Sequence, residues 1–182
     1  MKEKFKTISI LLLGLLLFGL VGCGSDKTAD KKNPPTNQEY YDYLTERYNY
    51  YFNNSDLDTN YDVFLDNFTY DASYDEFITV YNDDYGQLKR NLEAFKSDLE
   101  NNVIKGNDEV DKYNQEMITA TDKAIIAVDD YIGSFGEKAK DYATLSKDEV
   151  VKGLRSLTLD AHNARLDLKN LYDDAKDKLG IK

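Results

Sequence analysis

The chain has 182 residues and a formal net charge of −11, from 34 acidic and 23 basic side chains. That sign is wrong for a nucleic-acid binder, whose phosphate contacts call for Lys and Arg, and for flat adhesion to an anionic membrane surface. One cysteine, one histidine and two prolines leave little material for a disulfide framework or a cysteine–histidine metal site.

The first stretch carries Lys2, Lys4 and Lys6, with Glu3 the one opposing charge, and then an apolar run from Ile8 to Leu20 interrupted only by Ser9, Gly14 and Gly19. That run is shorter than the ~20 apolar residues that span a bilayer; its charge and length suit a cleaved export signal. It ends in Leu20-Val21-Gly22-Cys23, which resembles the lipobox of bacterial prolipoproteins. The resemblance covers residues 1–23. It implies recognition of Leu20, Val21 and Gly22 by the lipoprotein signal peptidase, removal of residues 1–22, and acylation of Cys23. Two or three acyl chains give stable anchoring where one is marginal, so the expected location is the cell membrane, lipid-anchored on its extracytoplasmic face. With Cys23 used in this way the remainder has no thiol, and the processed chain carries −13.

Gly24 to Pro35 has no apolar side chain larger than Ala29 and ends in the two prolines. Residues 23–35 therefore read as a lipidated N-terminus with a disordered tether, reaching ~20 Å. Residues 36–182 are expected to form one domain with its own core. Charge is uneven along them: Glu39 to Asp84 holds twelve acids against Arg47 alone, whereas acids and bases nearly balance from Gln87 onward.

Three capping-box patterns mark helix starts: Thr36 with Glu39, Ser73 with Glu76, and Ser146 with Glu149. Tyr40, Leu44, Tyr48 and Tyr51 form one apolar stripe, and Tyr61, Phe64, Leu65 and Phe68 a second, so residues 37–70 read as a helix interrupted near Asn53-Asn54-Ser55. Tyr74 to Val103 repeats apolar residues in steps of three and four, through Tyr81, Leu88, Leu92, Phe95 and Leu99. Val110, Tyr113, Met117, Ala120, Ala124, Ala127 and Tyr131 form another seam; Val150, Leu154, Leu157, Ala161, Ala164, Leu168, Leu171 and Ala175 form the last. Seven-residue spacing implies coiled-coil-like packing, and the short polar Lys105-Gly106-Asn107 connection favours antiparallel neighbours. The expected fold is all-α: an elongated up-down four-helix bundle. Gly86, after Asn82-Asp83-Asp84, is a candidate kink; Gly133 and Gly136 are expected to end or bend the third helix, with a turn or loop over Phe135 to Tyr142.

Asp56, Asp58, Asn60 and Asp62 alternate like the first ligands of an EF-hand loop. Tyr61 stands where glycine must make the sharp turn, however, and Asn67 where the bidentate glutamate belongs, so the run reads as a polar break with a helix cap. His162 lies at the edge of the last seam. Leu159, three residues before it, has no ligand atom, so the paired Glu-x-x-His motif of bundle di-iron sites is not met. There is no G-x-S-x-G nucleophile turn. These patterns point to no enzyme and no cofactor.

Eleven of the fifteen tyrosines fall between Tyr40 and Tyr85. They read either as a wide core face with wet hydroxyls or, around Tyr43, Arg47 and Tyr50, as an exposed aromatic interface. The functional expectation is a membrane-anchored monomeric module that binds a protein or cell-envelope partner. The alternative is a small-ligand or cation-binding lipoprotein accessory to a transporter or membrane complex.

Overall fold

The computed structural model describes residues 33–53 and 63–182; the lipobox, most of the tether, and Asp56, Asp58, Asn60 and Asp62 lie outside the described residues. The fold is all-α, with no strand among the described residues. Helix α1 spans Asn37–Tyr48 and runs into a π-helical turn at Asn49–Asn53; α2 spans Tyr74–Asn102, α3 Asp108–Tyr142, α4 Lys147–Leu157, α5 Leu159–Asp173 and α6 Ala175–Lys178.

All three capping boxes form. Thr36, Ser73 and Ser146 each accept from the backbone N–H of the glutamate three residues on, and that glutamate accepts from the cap's own N–H. Two otherwise orphaned donors are thereby satisfied at each helix start.

Side-chain pairs give the direction of each helix. Lys89 meets Asp129 and Lys96 meets Asp122, so numbering rises on α3 as it falls on α2 and the two are antiparallel. Tyr43 and Asp98, then Tyr51 and Asn91, set α1 antiparallel to α2 in the same way. Asn37 with Glu109 and Tyr40 with Asn114 set α1 parallel to α3. Tyr41 with Lys176, and Tyr48 stacked on Tyr172 at 3.8 Å, run α1 against the last column. The chain thus goes up, down, up and down.

The expected seams are the core. Leu88, Leu92, Phe95 and Leu99 of α2, Val110, Tyr113, Met117, Ala124 and Tyr131 of α3, and Val150, Leu154, Ala161, Leu168 and Ala175 of the last column are all buried. Where the rings of α2 and α3 meet, Tyr81 and Tyr85 pack on Tyr131, with centroids 6.1 and 4.3 Å apart.

Three expectations are corrected. Residues 63–73 do not continue the first helix: they form turns, bends and chain without regular secondary structure. Leu65, placed in a helical stripe, is 47 % exposed, while Val63 is buried. The backbone there is held from outside. The Arg155 guanidinium donates to the carbonyls of Val63 and Leu65, and the Lys147 ammonium to that of Tyr70. Those bonds replace the intrahelical ones a helix would have used.

Second, Gly133 and Gly136 do not end α3, which stays helical to Tyr142, so no loop forms over Phe135 to Tyr142. Tyr131 and Phe135 are buried there, and packing of that face outweighs a propensity cost of ~1 kcal/mol per glycine. α2 is likewise unbroken through Gly86.

Third, the last helix comes in three pieces. The first break is at Thr158, whose φ and ψ are −99° and 4°. This buried threonine turns its hydroxyl back to the Leu154 carbonyl at 2.7 Å, an interaction that bends helices. The break leaves the seam in phase, since Leu154 and Ala161 are both buried across it.

One end of the bundle closes on a glycine. Gly106 has φ 129°, and a Cβ there would lie 2.7 Å from Pro34 Cγ. Asn107 Nδ2 donates to the Pro35 carbonyl at 2.9 Å and to Asn37 Oδ1 at 3.0 Å. The start of the folded body is thus tied to the α2–α3 connection.

Candidate functional site: the aromatic end of the first helix

Tyr43 and Arg47 both meet Asp98, a residue that the sequence did not single out, and Tyr50 lies beside Arg47. Asp98 of α2 accepts the Tyr51 hydroxyl on Oδ2 at 2.9 Å, the Asn102 amide on Oδ1 at 3.1 Å, and lies 3.7 Å from Arg47 Nη1. Its backbone carbonyl accepts the Tyr43 hydroxyl at 3.0 Å. Asn91, two turns earlier on the same helix, donates to the Tyr51 carbonyl at 2.8 Å and fixes the π-helical turn. No spacing in the sequence marks Asp98 or Asn91. Their role follows from the antiparallel register of α1 and α2, which links positions about 40 to 55 residues apart.

The three side chains have different situations. Tyr43 is half-buried against the core, and burial pushes its hydroxyl pKa up. Arg47 is partly covered and also pairs with Glu46. Tyr50 is 62 % exposed, with the Arg47 guanidinium carbon 5.5 Å from its ring centroid and the Tyr51 ring edge-on at 4.9 Å. Tyr51 is partly buried. Desolvation, then its bond to the Asp98 carboxylate and that group's charge, push its pKa up to about 12. The arrangement is one outward ring with a cation beside it, next to a residue, Tyr51, that α2 holds by its carbonyl and its hydroxyl. Such a surface supplies contact area to a partner with little ordering cost.

Most other tyrosines hold the fold together. Tyr40 donates to Asn114 Oδ1 at 3.1 Å, Tyr74 to the Ala139 carbonyl at 2.7 Å, and Tyr131 to Asn82 Oδ1 at 2.7 Å; Tyr113 donates to the Leu171 carbonyl. Each hydroxyl reaches a neighbouring helix. His162 lies at the edge of its seam, as expected, with its ring stacked on Phe64 at 3.9 Å and 16°.

Among the described residues, no cluster of three or more His, Cys, Asp or Glu side chains could hold a metal ion, and no helix is long and apolar enough to cross a membrane. No protein-family model, curated protein or solved structure matches the chain.

Proposed function

We propose that this chain is a lipid-anchored, extracytoplasmic lipoprotein whose helical body is a non-catalytic interaction module for a protein or cell-envelope partner. Acylation at Cys23 holds it to the membrane, residues 24–35 act as a tether, and the Tyr43–Arg47–Tyr50 surface makes the contact. The observation that carries the binding reading is Tyr50: a large aromatic ring left exposed beside a guanidinium, on backbone pinned to α2. Aromatic side chains and arginine are the side chains most often found at interface hot spots. Within this group Tyr50 is the contact residue, and Tyr43 supports it from the core side.

Two measurements test the two halves separately. Metabolic labelling with an alkyne fatty acid marks the wild type and not Cys23→Ala; equal labelling of both overturns the anchor. A photo-crosslinking amino acid placed at position 50 in cells gives a discrete adduct that the same group at exposed Ile126 does not; identical adduct patterns from both positions overturn the patch. Association through this surface slows as salt rises, because exposed charges are screened beyond about 8 Å near 0.15 M.

A further inference from the structure

A second feature lies on α2 about three turns before Asn91. The irregular chain at 68–72 lies against the first two turns of α2 and leaves a groove of about 320 Å³. Phe68, Tyr70 and Phe77 give it aromatic walls, with Tyr70 stacked on Phe77 at 3.9 Å and 6°. Asp71 and Glu76, both exposed, stand at its rim, and Val80 is 38 % exposed beside it. No Lys or Arg lines it.

The chemistry is apolar walls under carboxylates, which suits a cation on an aliphatic stem. The fold already places one lysine against the same aromatic cluster. Lys147 Nζ donates to the Tyr70 carbonyl at 2.6 Å and sits 4.8 Å from the centroid of its ring. The surrounding charge points the same way. Asp66, Asp71, Asp75, Glu76, Asp83 and Asp84 fall between positions 63 and 84 with no Lys or Arg among them, and the two bases packed on this stretch, Lys147 and Arg155, are engaged by the Tyr70, Val63 and Leu65 carbonyls. Glu76 Oε2 is engaged by Ser73, so its charge is held in place at the rim.

We propose that the groove between residues 68–72 and the start of α2 is a docking site for a lysine or arginine side chain of a basic polypeptide partner. The aliphatic stem lies on Phe68 and Val80, above the buried Phe77, and the charged head meets Asp71 and Glu76. Charge complementarity selects this occupant over the two nearest alternatives. The chain's own residues 54–62 carry three aspartates and no base, and a second copy of the chain brings a net −11. Val80, Gln87, Asn91 and Asp98 are spaced to share one face of α2, so a bound segment that continues along that face passes toward the Tyr50 end. The groove is nonetheless a separate site, and neither site needs the other.

The test uses the full chain in zwitterionic detergent, titrated with two acetylated, amidated peptides of equal length: alternating lysine–leucine and alternating glutamate–leucine. Amide shifts are followed by heteronuclear NMR. The lysine peptide moves Thr69 to Ala72, Glu76 and Val80; the glutamate peptide moves none of them; and binding weakens as salt rises. Val80→Lys, which puts a like charge at the mouth, weakens the lysine peptide about tenfold or more, and Asp71→Asn weakens it less. Tyr50→Ala leaves it unchanged, which separates failure here from failure of the Tyr50 patch. Shifts spread evenly over all acidic positions, equal binding of both peptides, or an unaltered affinity in Val80→Lys overturns the proposal. So does binding that appears only when residues 54–62 are deleted, or concentration-dependent shifts at the groove without peptide, since these name the chain itself or a second copy as the occupant.

Discussion

Asn114 makes the most informative single perturbation. It is a buried polar residue, 8 % exposed, inside a leucine and aromatic core. Its Nδ2 donates to the Leu99 carbonyl at 3.0 Å, and its Oδ1 accepts the Tyr40 hydroxyl at 3.1 Å. Leu99 lies in the last turn of α2, so its carbonyl has no partner from further along the helix. Asn114 of α3 thereby closes the end of α2 and ties α1 to both. In Asn114→Leu the volume is nearly kept, and both the Leu99 carbonyl and the Tyr40 hydroxyl lose their partner in a site closed to water; Tyr40 is 1 % exposed. An orphaned buried group costs about 1–3 kcal/mol, so the two together cost about 2–5 kcal/mol. For a body of this length that lowers Tm by roughly 5–15 °C. Tyr40→Phe alone removes the donor and leaves Asn114 Oδ1 unmatched, for about 1–3 kcal/mol. In the double variant only the Leu99 carbonyl is left, so its loss falls short of the sum of the singles by about 1 kcal/mol or more. Urea unfolding followed by far-ultraviolet circular dichroism, with the denaturant slope unchanged across the four proteins, measures the cycle. Strict additivity, or an Asn114→Leu loss under about 0.5 kcal/mol, the usual size for surface sites, would show that the network is not formed.

The glycines of the second half separate into two kinds. A Cβ at Gly133 or Gly136 meets nothing within 4 Å, so alanine at either raises stability by about 0.5–1 kcal/mol. At Gly153 a Cβ would stand 2.8 Å from Tyr142 Cζ and 2.9 Å from its hydroxyl oxygen, so Gly153→Ala falls about 1 kcal/mol or more below the other two in the same denaturation assay; equal gains at all three positions refute that packing. Alkaline unfolding is a further test. Burial first, then neighbouring tyrosines, pushes the pKa of Tyr40, Tyr81 and Tyr131 well above the ordinary 10.0. A raised folded value means that the unfolded chain ionises first, so their contribution is fully present below about pH 10 and is lost as pH rises from there toward the folded values. Tyrosinate absorbance from these residues should therefore appear together with loss of helical dichroism; complete ionisation near pH 10 with the helices intact contradicts their burial.

The parts of this fold that could be read in the sequence are those governed by neighbours in the chain. A capping box spans four residues, and Thr36, Ser73 and Ser146 all form one. A heptad seam spans a few turns; Leu88, Leu92, Phe95 and Leu99 are buried as spaced, and the Val150–Ala175 seam is buried at Val150, Leu154, Ala161, Leu168 and Ala175 and half-buried at Leu157, Ala164 and Leu171. The misreadings share the opposite property. Phe64, Leu65 and Phe68 have helical spacing, yet the chain around them is held at the Val63, Leu65 and Tyr70 carbonyls by Arg155 and Lys147, about 80 to 90 residues away. Gly133 and Gly136 look like stops because propensity is local, whereas burial of Tyr131 and Phe135 depends on the rest of the bundle. At the candidate site the aromatic and cationic members were visible as residue types, while Asp98 and Asn91, which hold them, became visible only once the register of α1 on α2 was known.

That register also explains why tyrosine, and not phenylalanine, fills so much of the first half. A bundle whose helix ends are covered by neighbouring columns has carbonyls that water cannot reach freely and that the helix itself does not use. Tyrosine places an apolar ring in the seam and an oxygen donor at its far edge. Tyr113 uses that donor on a carbonyl in the last turn of α5, and Tyr40 reaches the end of α2 through Asn114, while Tyr74 adds a second bond to the Ala139 carbonyl that the Ala143 N–H already uses. Aromatic content alone therefore does not mark a binding surface in this chain, since a tyrosine bonded to a neighbouring helix has its place explained by the fold. Tyr50 differs on the point that matters for recognition: its ring points outward beside Arg47, and the backbone bond from Asn91 to its neighbour Tyr51 holds it there. A ring that does little for the core and is fixed by its neighbours is the one on which the proposed contact rests.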